Sequence, residues 1–205
     1  MDNTLIDIQN ENQFNTDKNS RHSYLPIYQQ LFNRFQNSDI NLLEIGVLGG
    51  ESLKLWSKYF SKAEIYGIDI FVRVSFEDVE RNLEGFNNIL LAGVDSFGEF
   101  QKSIDSRNNF LNEINDKMFN IIIDDGHHAS TSQIITFNNF IDKLHPSGVY
   151  IIEDIRDWDG QLEHIKEQLP DLKIIKLNPL PGLNDNIIGV YSKDESFYEE
   201  LNYEN

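Results

Sequence analysis

Cysteine is absent from the 205-residue sequence, and basic residues are scarce, with 17 Lys and Arg against 34 Asp and Glu. The missing thiols exclude disulfide bonds, thiolate metal sites and cysteine nucleophiles. The formal net charge of −17 argues against nucleic acid and anionic membrane surfaces as partners, because both attract basic patches. No apolar run approaches the ~20 residues that span a bilayer, and the first residues lack the basic and apolar regions of a signal peptide. The sequence therefore predicts a cytoplasmic protein with no membrane partner.

Apolar strands and amphipathic helices alternate along the chain from residue 22 onward. A chain of this length is expected to form one domain, so we predict a polar N-terminal arm or lid over residues 1–21 and a single domain over 22–205. The predicted strands are 41–45, 64–70, 88–92, 118–124, 148–153, 172–177 and 187–191. The predicted helices are 22–35, 51–60, 76–83, 97–115 with an interruption near 106–108, 131–144 and 160–168. This order predicts an α/β fold: a Rossmann-like, doubly wound, mostly parallel sheet with an antiparallel C-terminal strand and helices on both faces.

The turn after the first predicted strand has the features of a cofactor site. Gly46 follows Glu44 at the end of the strand, and Asp69 ends the next strand. Glycine lets a backbone approach a ligand closely, and an acid about twenty residues on is placed to bind ribose hydroxyls. The turn lacks the Gly-x-Gly pair of dinucleotide sites, and a carboxylate at Glu44 suits a cofactor with a cationic end. The spacing predicts a nucleoside-containing cofactor, against the alternative of an ordinary strand-to-helix turn.

Acidic and imidazole side chains follow two other predicted strands. If the chain returns to the first strand after the third, the fourth strand lies beside the first, and ligands bind at this reversal of strand order. Like charges this close are costly unless they share a cation or a proton, and carboxylate oxygens suit Mg²⁺. The alternative is that the acids cap helices and the histidines are solvated. The side chains expected to converge are Asp124, Asp125, His127, His128, Glu153 and Asp154.

These motifs together resemble a known family. They are similar to those of the class I S-adenosylmethionine-dependent methyltransferases, in particular the metal-dependent sugar O-methyltransferases of macrolide biosynthesis and the related cephalosporin hydroxylase-like proteins. The resemblance covers about residues 15–191, although the turn departs from the family's common Gly-x-Gly form and the chain is shorter than the macrolide enzymes. The matching residues are Thr16-Asp17-Lys18 with His22 and Tyr24, Glu44-Ile45-Gly46-Val47 with Gly50 and Ser52, Asp125-Gly126-His127-His128, and Glu153-Asp154.

The resemblance implies a role for each matching residue. It places the metal, Mg²⁺ or Mn²⁺, on Asp125, Glu153 and Asp154. It makes His128 the general base, with the preceding His127 as the alternative. It implies an acceptor that contains a sugar, such as rhamnose in a glycan, a nucleotide-sugar or a glycosylated natural product. A homo-oligomer is a further expectation. The residues expected to bind the cofactor S-adenosylmethionine are Glu44, Gly46, Gly50, Ser52, Asp69, Asp95, Ser96 and Asp124.

Further residues are candidates for contact with the acceptor. Five N-terminal residues are expected to fold over the cofactor or the acceptor, or else to form a helix cap and core aromatics: Thr16, Asp17, Lys18, His22 and Tyr24. His127 is expected to orient a neighbour or contact the acceptor. Trp158 follows the proposed metal ligands and is placed either to stack on a sugar face or to pack in the core.

Two other function classes stay open at this point. A histidine with a carboxylate is also found in the facial triad of iron oxygenases, although the Glu44 to Asp69 half would then have no purpose. A catalytically silent domain that binds the cofactor and keeps the fold is the third class. Binding of S-adenosylmethionine separates the oxygenase from the other two.

Overall fold

The computed structural model describes residues 3–177, 185–199 and 201. Its strands are β1 (Ile40–Ile45), β2 (Ala63–Asp69), β3 (Ile89–Gly93), β4 (Phe119–Asp124), β5 (Leu144–Ile152), β6 (Lys173–Lys176) and β7 (Ile187–Tyr191). Its helices are α1 (Leu5–Asn12), α2 (Leu25–Phe32), α3 (Glu51–Tyr59), α4 (Phe76–Asn82), α5 (Gln101–Ile114), α6 (Ser130–Phe140), α7 (Gln161–Gln168) and α8 (Ser196–Glu199). Short 3-10 turns follow α2 at Asn33–Phe35 and α6 at Ile141–Lys143.

The strands form one sheet in the order β3-β2-β1-β4-β5-β7-β6. The pairs β1–β2, β2–β3, β1–β4 and β4–β5 are parallel, whereas β7 runs antiparallel to both β5 and β6. The chain therefore returns to β1 after β3, and strand order reverses between β1 and β4. The predicted mostly parallel sheet with an antiparallel C-terminal strand is confirmed, as is the neighbour relation of the first and fourth strands.

The sheet is covered on both faces because its central strands are apolar on both sides. Side chains alternate along a strand, so Ile121 and Ile123 of β4 join one core cluster and Ile122 joins the other. The first cluster is completed by residues of α1, α2, α3, α4 and α8, and the second by residues of α5, α6 and α7. Such two-sided burial is typical of parallel sheets.

The N-terminal segment, predicted as an arm or lid, packs on the domain where the structure describes it. α1 begins with a capping box between Thr4 and Asp7, which satisfies backbone groups at the helix start. Leu5 and Ile8 are buried in the first core cluster. The backbone N–H of Leu5 donates to Gln29 Oε1 at 2.7 Å. Leu5 and Ile8 thus pack in the same core as the strands and helices that follow.

Two predicted boundaries were wrong. α5 runs without interruption through residues 106–108, because Arg107 and Phe110 are buried and this packing outweighs the modest helix propensity of Ser and Asn. β5 begins at Leu144, where a helix was predicted to end, and Leu144 pairs with Phe119 ahead of a register shift. The predicted loop containing Pro179, Pro181 and Gly182 lies outside the described residues. Within the described part of the chain, no helix combines the length and apolar character of a membrane span.

Candidate active site

A cavity of about 720 Å³ opens where the strand order reverses. It extends from the Gly46 turn and Asp69, past Asp95, to Asp125 and Asp154. In open α/β sheets, ligands bind beyond the carboxyl ends of the strands at such a reversal. The structure therefore brings the two groups of residues singled out in the sequence to one cavity.

The backbone of the Gly46 turn is shaped by its neighbour across the sheet. Gly46 has a φ of +86°, and a Cβ there would lie 2.3 Å from the carbonyl oxygen of Asp125. Only glycine fits this position without moving the β4 loop. The turn is therefore packed directly against the segment that carries Asp125.

Asp69 holds the turn from the tip of β2. Its Oδ2 accepts hydrogen bonds from the N–H groups of Val47 at 3.0 Å and Leu48 at 3.2 Å, and its Oδ1 accepts from Phe71 N–H at 2.8 Å. A carboxylate offers about four acceptor sites, so about one is left for a ligand hydroxyl. Asp69 lines the cavity as expected of a ribose-binding acid, and it also shapes the turn.

Glu44 lies beneath the turn and does not itself line the cavity. It is fully buried and accepts hydrogen bonds from Ser52 Oγ at 2.7 Å and Trp56 Nε1 at 2.8 Å. Burial raises the pKa of its carboxyl, and Lys18 opposes that rise. Gly50 lies at the start of α3 against Leu83. Neither Glu44 nor Gly50 thus contacts the cavity that the turn forms, although both support the turn.

Asp95 and Ser96 follow β3 and line the same cavity. Asp95 accepts hydrogen bonds from Gly98 N–H at 2.8 Å and Ser103 Oγ at 2.7 Å. Ser96 is buried, with its hydroxyl 3.1 Å from that of Thr136. These bonds hold the loop after β3 in place beside Phe97, which also lines the cavity.

Asp125, His128 and Asp154 form the candidate metal group. One donor atom from each lies within 4.8 Å of the others, and His128 Nε2 is 3.7 Å from Asp154 Oδ2. The pKa of Asp154 is raised to about 7, mainly because the carboxyl is buried and secondly because of the charge of Asp125. Burial also lowers the pKa of His128 below its usual value of 6.5. The cluster is short of positive charge, as a cation site would be.

Glu153, the third predicted metal ligand, is outside this group. Its carboxylate is bound by Lys18, whose Nζ lies 2.7 Å from Oε1 and 2.8 Å from Oε2, and by the hydroxyl of Tyr28. Lys18 also binds Asp125 Oδ2 at 2.8 Å. Burial alone would lower the pKa of Lys18, but the carboxylates of Asp125, Glu153 and Glu44 raise it well above its usual value. Lys18 is therefore a buried cation among acids.

His22 and Tyr24 were predicted to contact the cofactor or the acceptor. In the structure, both instead contact the carboxylate of Asp154. The Tyr24 hydroxyl donates to Asp154 Oδ1 at 2.5 Å, and His22 Nε2 lies 3.5 Å from the same oxygen. The two rings stack at 4.8 Å between centroids, and both side chains are buried. Of the predicted N-terminal contacts, Thr16, Asp17 and Lys18 line the cavity, whereas His22 and Tyr24 do not. The role of Tyr28 was missed, because its spacing in the sequence indicates only a core helix position.

The remaining candidates are divided between cavity and interior. His127 lines the cavity with its ring 5.3 Å from that of Phe97. Asp124 is 2% exposed and accepts from Gly126 N–H at 3.2 Å, and burial is the main cause that raises its pKa to about 8. It lies below the cavity rather than in it. Trp158 is 37% exposed, which rules out the core position considered for it.

Arg156, which the sequence analysis did not single out, lines the cavity beside Trp158. Its guanidinium carbon lies 5.4 Å from the centre of the Trp158 ring. Its Nε is buried and has no hydrogen-bond partner among the described residues. No spacing rule in the sequence marks this residue, because its neighbours come from the fold.

The strand order and the cavity at its reversal define the class of the molecule: it has the fold of the class I methyltransferases. A solved structure with this fold is the MycE methyltransferase of the mycinamycin biosynthetic pathway, determined in complex with Mg and SAH. It superposes with a TM-score of 0.68 at 22% identity and covers 94% of this chain and 55% of that one.

Within this class, the sequence is related to sugar O-methyltransferases, which confirms the resemblance stated above. It is 30% identical over 148 residues to the 8-demethyl-8-alpha-L-rhamnosyl tetracenomycin-C 2'-O-methyltransferase of Streptomyces olivaceus, covering 69% of this chain and 35% of the relative. It is also 30% identical over 149 residues to the mycinamicin VI 2''-O-methyltransferase of Micromonospora griseorubida, covering 68% of this chain and 33% of the relative. The chain thus spans about a third of the length of these curated relatives. No family model matches the sequence.

Proposed function

We propose that this protein transfers the methyl group of S-adenosylmethionine to a sugar hydroxyl, with the help of a divalent metal and His128 as general base. The observation that carries the proposal is the single cavity that joins the Gly46 turn and Asp69 to Asp125, His128 and Asp154. The relatives support it, because two are named for methylation of rhamnosyl or mycinamicin substrates.

The residues at the turn fit S-adenosylmethionine. The backbone at Gly46 leaves no room for a side chain, and Asp69 keeps about one acceptor site for a ribose hydroxyl. Asp95, Ser96 and Phe97 line the cavity after β3, where we place the adenine. The cofactor, when bound, supplies a methyl group on a sulfonium, and MycE, which shares the fold, was solved with the product SAH.

The residues after β4 and β5 fit Mg²⁺ or Mn²⁺. Asp125 Oδ1 and Asp154 Oδ2 accept no hydrogen bond from the described residues. One donor atom each of Asp125, His128 and Asp154 lies within 4.8 Å of the other two. Mg²⁺ is usually held by one or two carboxylates with waters or substrate oxygens. When bound, the metal lowers the pKa of a coordinated sugar hydroxyl and orients it.

His128 is placed to take the proton of that hydroxyl. Its Nε2 lies 3.7 Å from Asp154 Oδ2, beside the proposed metal. Because burial lowers its pKa below 6.5, the ring is neutral and able to accept a proton at pH 7. His127 faces Phe97 instead, which favours contact with a ligand rather than the role of base.

The acceptor is proposed to be a deoxyhexose such as rhamnose. Trp158 does not line the cavity, but its exposed ring lies next to Arg156, which does, and offers a surface on which a sugar can stack. Whether the sugar belongs to a glycan, a nucleotide-sugar or a glycosylated natural product stays open in this proposal. A homo-oligomer and a cytoplasmic location remain predictions of the sequence.

The alternatives find less support in the geometry. An iron facial triad takes two histidines and one carboxylate, whereas the candidate group has one histidine and two carboxylates. A silent binding domain would have no use for the arrangement of His128 beside Asp154. The sugar O-methyltransferase accounts for both halves of the cavity.

Methyl transfer is tested by mass spectrometry after incubation with S-adenosylmethionine and a panel of rhamnosides, nucleotide-sugars and glycosylated natural products. We expect one acceptor class to gain a methyl group, activity to vanish with EDTA, and activity to return with Mg²⁺ or Mn²⁺. Asp154→Asn should abolish transfer, while the exposed Asp157→Asn, whose parent pairs with Lys176, serves as the matched control. Full activity after exhaustive chelation would contradict the metal, and cofactor binding without transfer to any acceptor would favour the silent domain.

A further inference from the structure

Arg156 is a cation at the cavity wall to which the protein gives no partner of its own charge type. The residue is half-buried and lines the cavity. Among the residues that the structure describes, its guanidinium forms no ion pair and donates no hydrogen bond. Its Nε is buried without an acceptor, and such a donor is costly to bury. The site therefore holds hydrogen-bond donors that a ligand is left to satisfy.

Other arginines of the chain are bound or fully solvated. Arg34 and Arg81 form ion pairs with aspartates at 3.2 and 2.6 Å, and Arg107 donates to a backbone carbonyl at 3.0 Å. Arg73 lines the cavity without a described partner, but its side chain is exposed, so water satisfies its donors. Arg156 differs from these because it is half-buried in a ligand cavity and still has no partner in the described part of the chain.

The Trp158 ring supports the guanidinium without using its donors. Arg156 Cζ lies 5.4 Å from the ring centre, within the ~6 Å of a cation–π contact. An arginine over an aromatic face keeps its N–H groups at the edge of the guanidinium plane. The terminal nitrogens, unlike Nε, are not buried. Paired N–H groups of this kind match the two oxygens of a carboxylate or a phosphate.

Arg156 lies at the end of the cavity where the acceptor is proposed to bind. Burial is the main cause that lowers the pKa of His128, and the charge of Arg156 lowers it further. The guanidinium is therefore within electrostatic reach of the proposed base. Lys18, the other cation on the β4–β5 side, is 1% exposed and already bound to two carboxylates. Among the described residues on this side, Arg156 is thus the cation that a ligand can reach.

We propose that Arg156 binds an anionic group of the acceptor, so that the sugar to be methylated carries a phosphate or a carboxylate. This inference rests on the function proposed above and narrows its acceptor to charged sugars. A protein with a formal net charge of −17 repels anions over most of its surface, and acidic side chains line this cavity. An anionic acceptor therefore needs a local cation that no protein carboxylate has already neutralised, and a neutral sugar does not.

Isothermal titration calorimetry with matched pairs of sugars tests the inference without any turnover. The pairs are rhamnose with rhamnose 1-phosphate, and glucose with glucuronic acid, each titrated into protein that holds Mg²⁺ and SAH. We expect one charged sugar to bind wild type at least about tenfold more tightly than its neutral partner. Arg156→Gln should weaken binding of that charged sugar by about 10–100-fold and leave the neutral sugars unaffected. Arg156→Lys should recover part of the affinity, because the charge is kept.

The pair that responds identifies the anion. A response of rhamnose 1-phosphate alone indicates a sugar phosphate or nucleotide-sugar, and a response of glucuronic acid alone indicates a uronic acid. Arg81→Gln is the matched control, because it removes an exposed positive charge that pairs with Asp78 on α4. All affinities should stay at their wild-type values in this variant.

The outcomes separate this inference from the proposed function. If wild type binds charged and neutral sugars equally, or if Arg156→Gln binds the charged sugar as wild type does, the inference is wrong and the methyltransferase proposal stands. A matching loss of SAH affinity in Arg156→Gln would assign the guanidinium to the carboxylate of the cofactor, which also overturns the inference. If wild type binds neither SAH nor any sugar, the proposed function falls, and the inference with it.

A measurement on the wild-type protein covers the case in which Arg156→Gln does not fold. In protein labelled with ¹⁵N-arginine, one side-chain Nε–H signal should shift when the charged sugar is added and stay in place with its neutral partner. If no arginine signal responds to either charged sugar, the inference is overturned.

Discussion

The two halves of the cavity are built in different ways. On the β1–β2 side, backbone groups make the surface: the turn at Gly46 is shaped by close packing, and Asp69 accepts three backbone N–H groups. On the β4–β5 side, charged side chains form the cavity surface. Most of their hydrogen-bond partners come from the N-terminal segment, more than 100 residues away in the sequence. The first half depends on local geometry, and the second depends on charges brought together by the whole fold.

The largest effect on turnover is expected on the β4–β5 side of the cavity, at the proposed base His128. His128→Ala should lower kcat by about 10²–10⁴-fold while cofactor and Mn²⁺ still bind. His127→Ala should mainly change acceptor affinity, because its ring faces Phe97. Steady-state kinetics of both variants decide between them, and a larger loss of kcat in His127→Ala would shift the base by one residue.

The pH dependence follows from the same side chain. A base acts only when neutral, and burial lowers the pKa of His128 below 6.5. The wild-type rate should therefore hold as pH falls toward 6.5 and decline only below it, as the ring gains a proton. The decline of kcat below pH 6.5 should be absent in His128→Ala. A decline that persists in this variant would come from the titration of a side chain other than His128.

Stability should also distinguish the two halves. Lys18→Met leaves buried carboxylates without their cation and should lower the free energy of unfolding by about 3–5 kcal/mol. The measurement is urea unfolding followed by circular dichroism. A loss below about 1 kcal/mol, the range of a surface pair, would mean that Lys18 is not the internal counter-ion of this cluster.

The smallest effect is expected far from the cavity. Lys117 pairs with Glu64 at the surface, and its ammonium lies 4.9 Å from the Tyr66 ring centre. Lys117→Met should change the free energy of unfolding by about 0–1 kcal/mol, because solvent screens exposed pairs. This variant is the control for Lys18→Met, and an equal loss in both would remove the contrast between buried and exposed cations.

The fold and the β1–β2 side of the cavity were predicted well from the sequence. The alternation of strands and helices predicted the sheet, and the spacing of Gly46 and Asp69 predicted their common position at the strand ends. Local patterns suffice there because each residue acts through its own turn or strand.

The charged half was predicted only in part. The convergence of Asp125 and Asp154 follows from parallel strands, but the contacts of Lys18 and Tyr28 with Glu153 link segments 135 and 125 residues apart. No periodicity or motif spacing encodes such contacts. For the same reason, Glu44 was expected at the cofactor, whereas the structure buries it against Ser52 and Trp56.

Calorimetric titration of S-adenosylmethionine into two charge-removing variants tests the central division of labour most directly. Asp69→Asn, which keeps an acceptor oxygen for the turn, should weaken S-adenosylmethionine binding by about 1–3 kcal/mol through loss of charge-assisted hydrogen bonds. Asp154→Asn should bind it with wild-type affinity and lose Mn²⁺ instead. Unchanged affinity in a folded Asp69→Asn, or an equal loss in Asp154→Asn, would contradict a cofactor site built at the Gly46 turn.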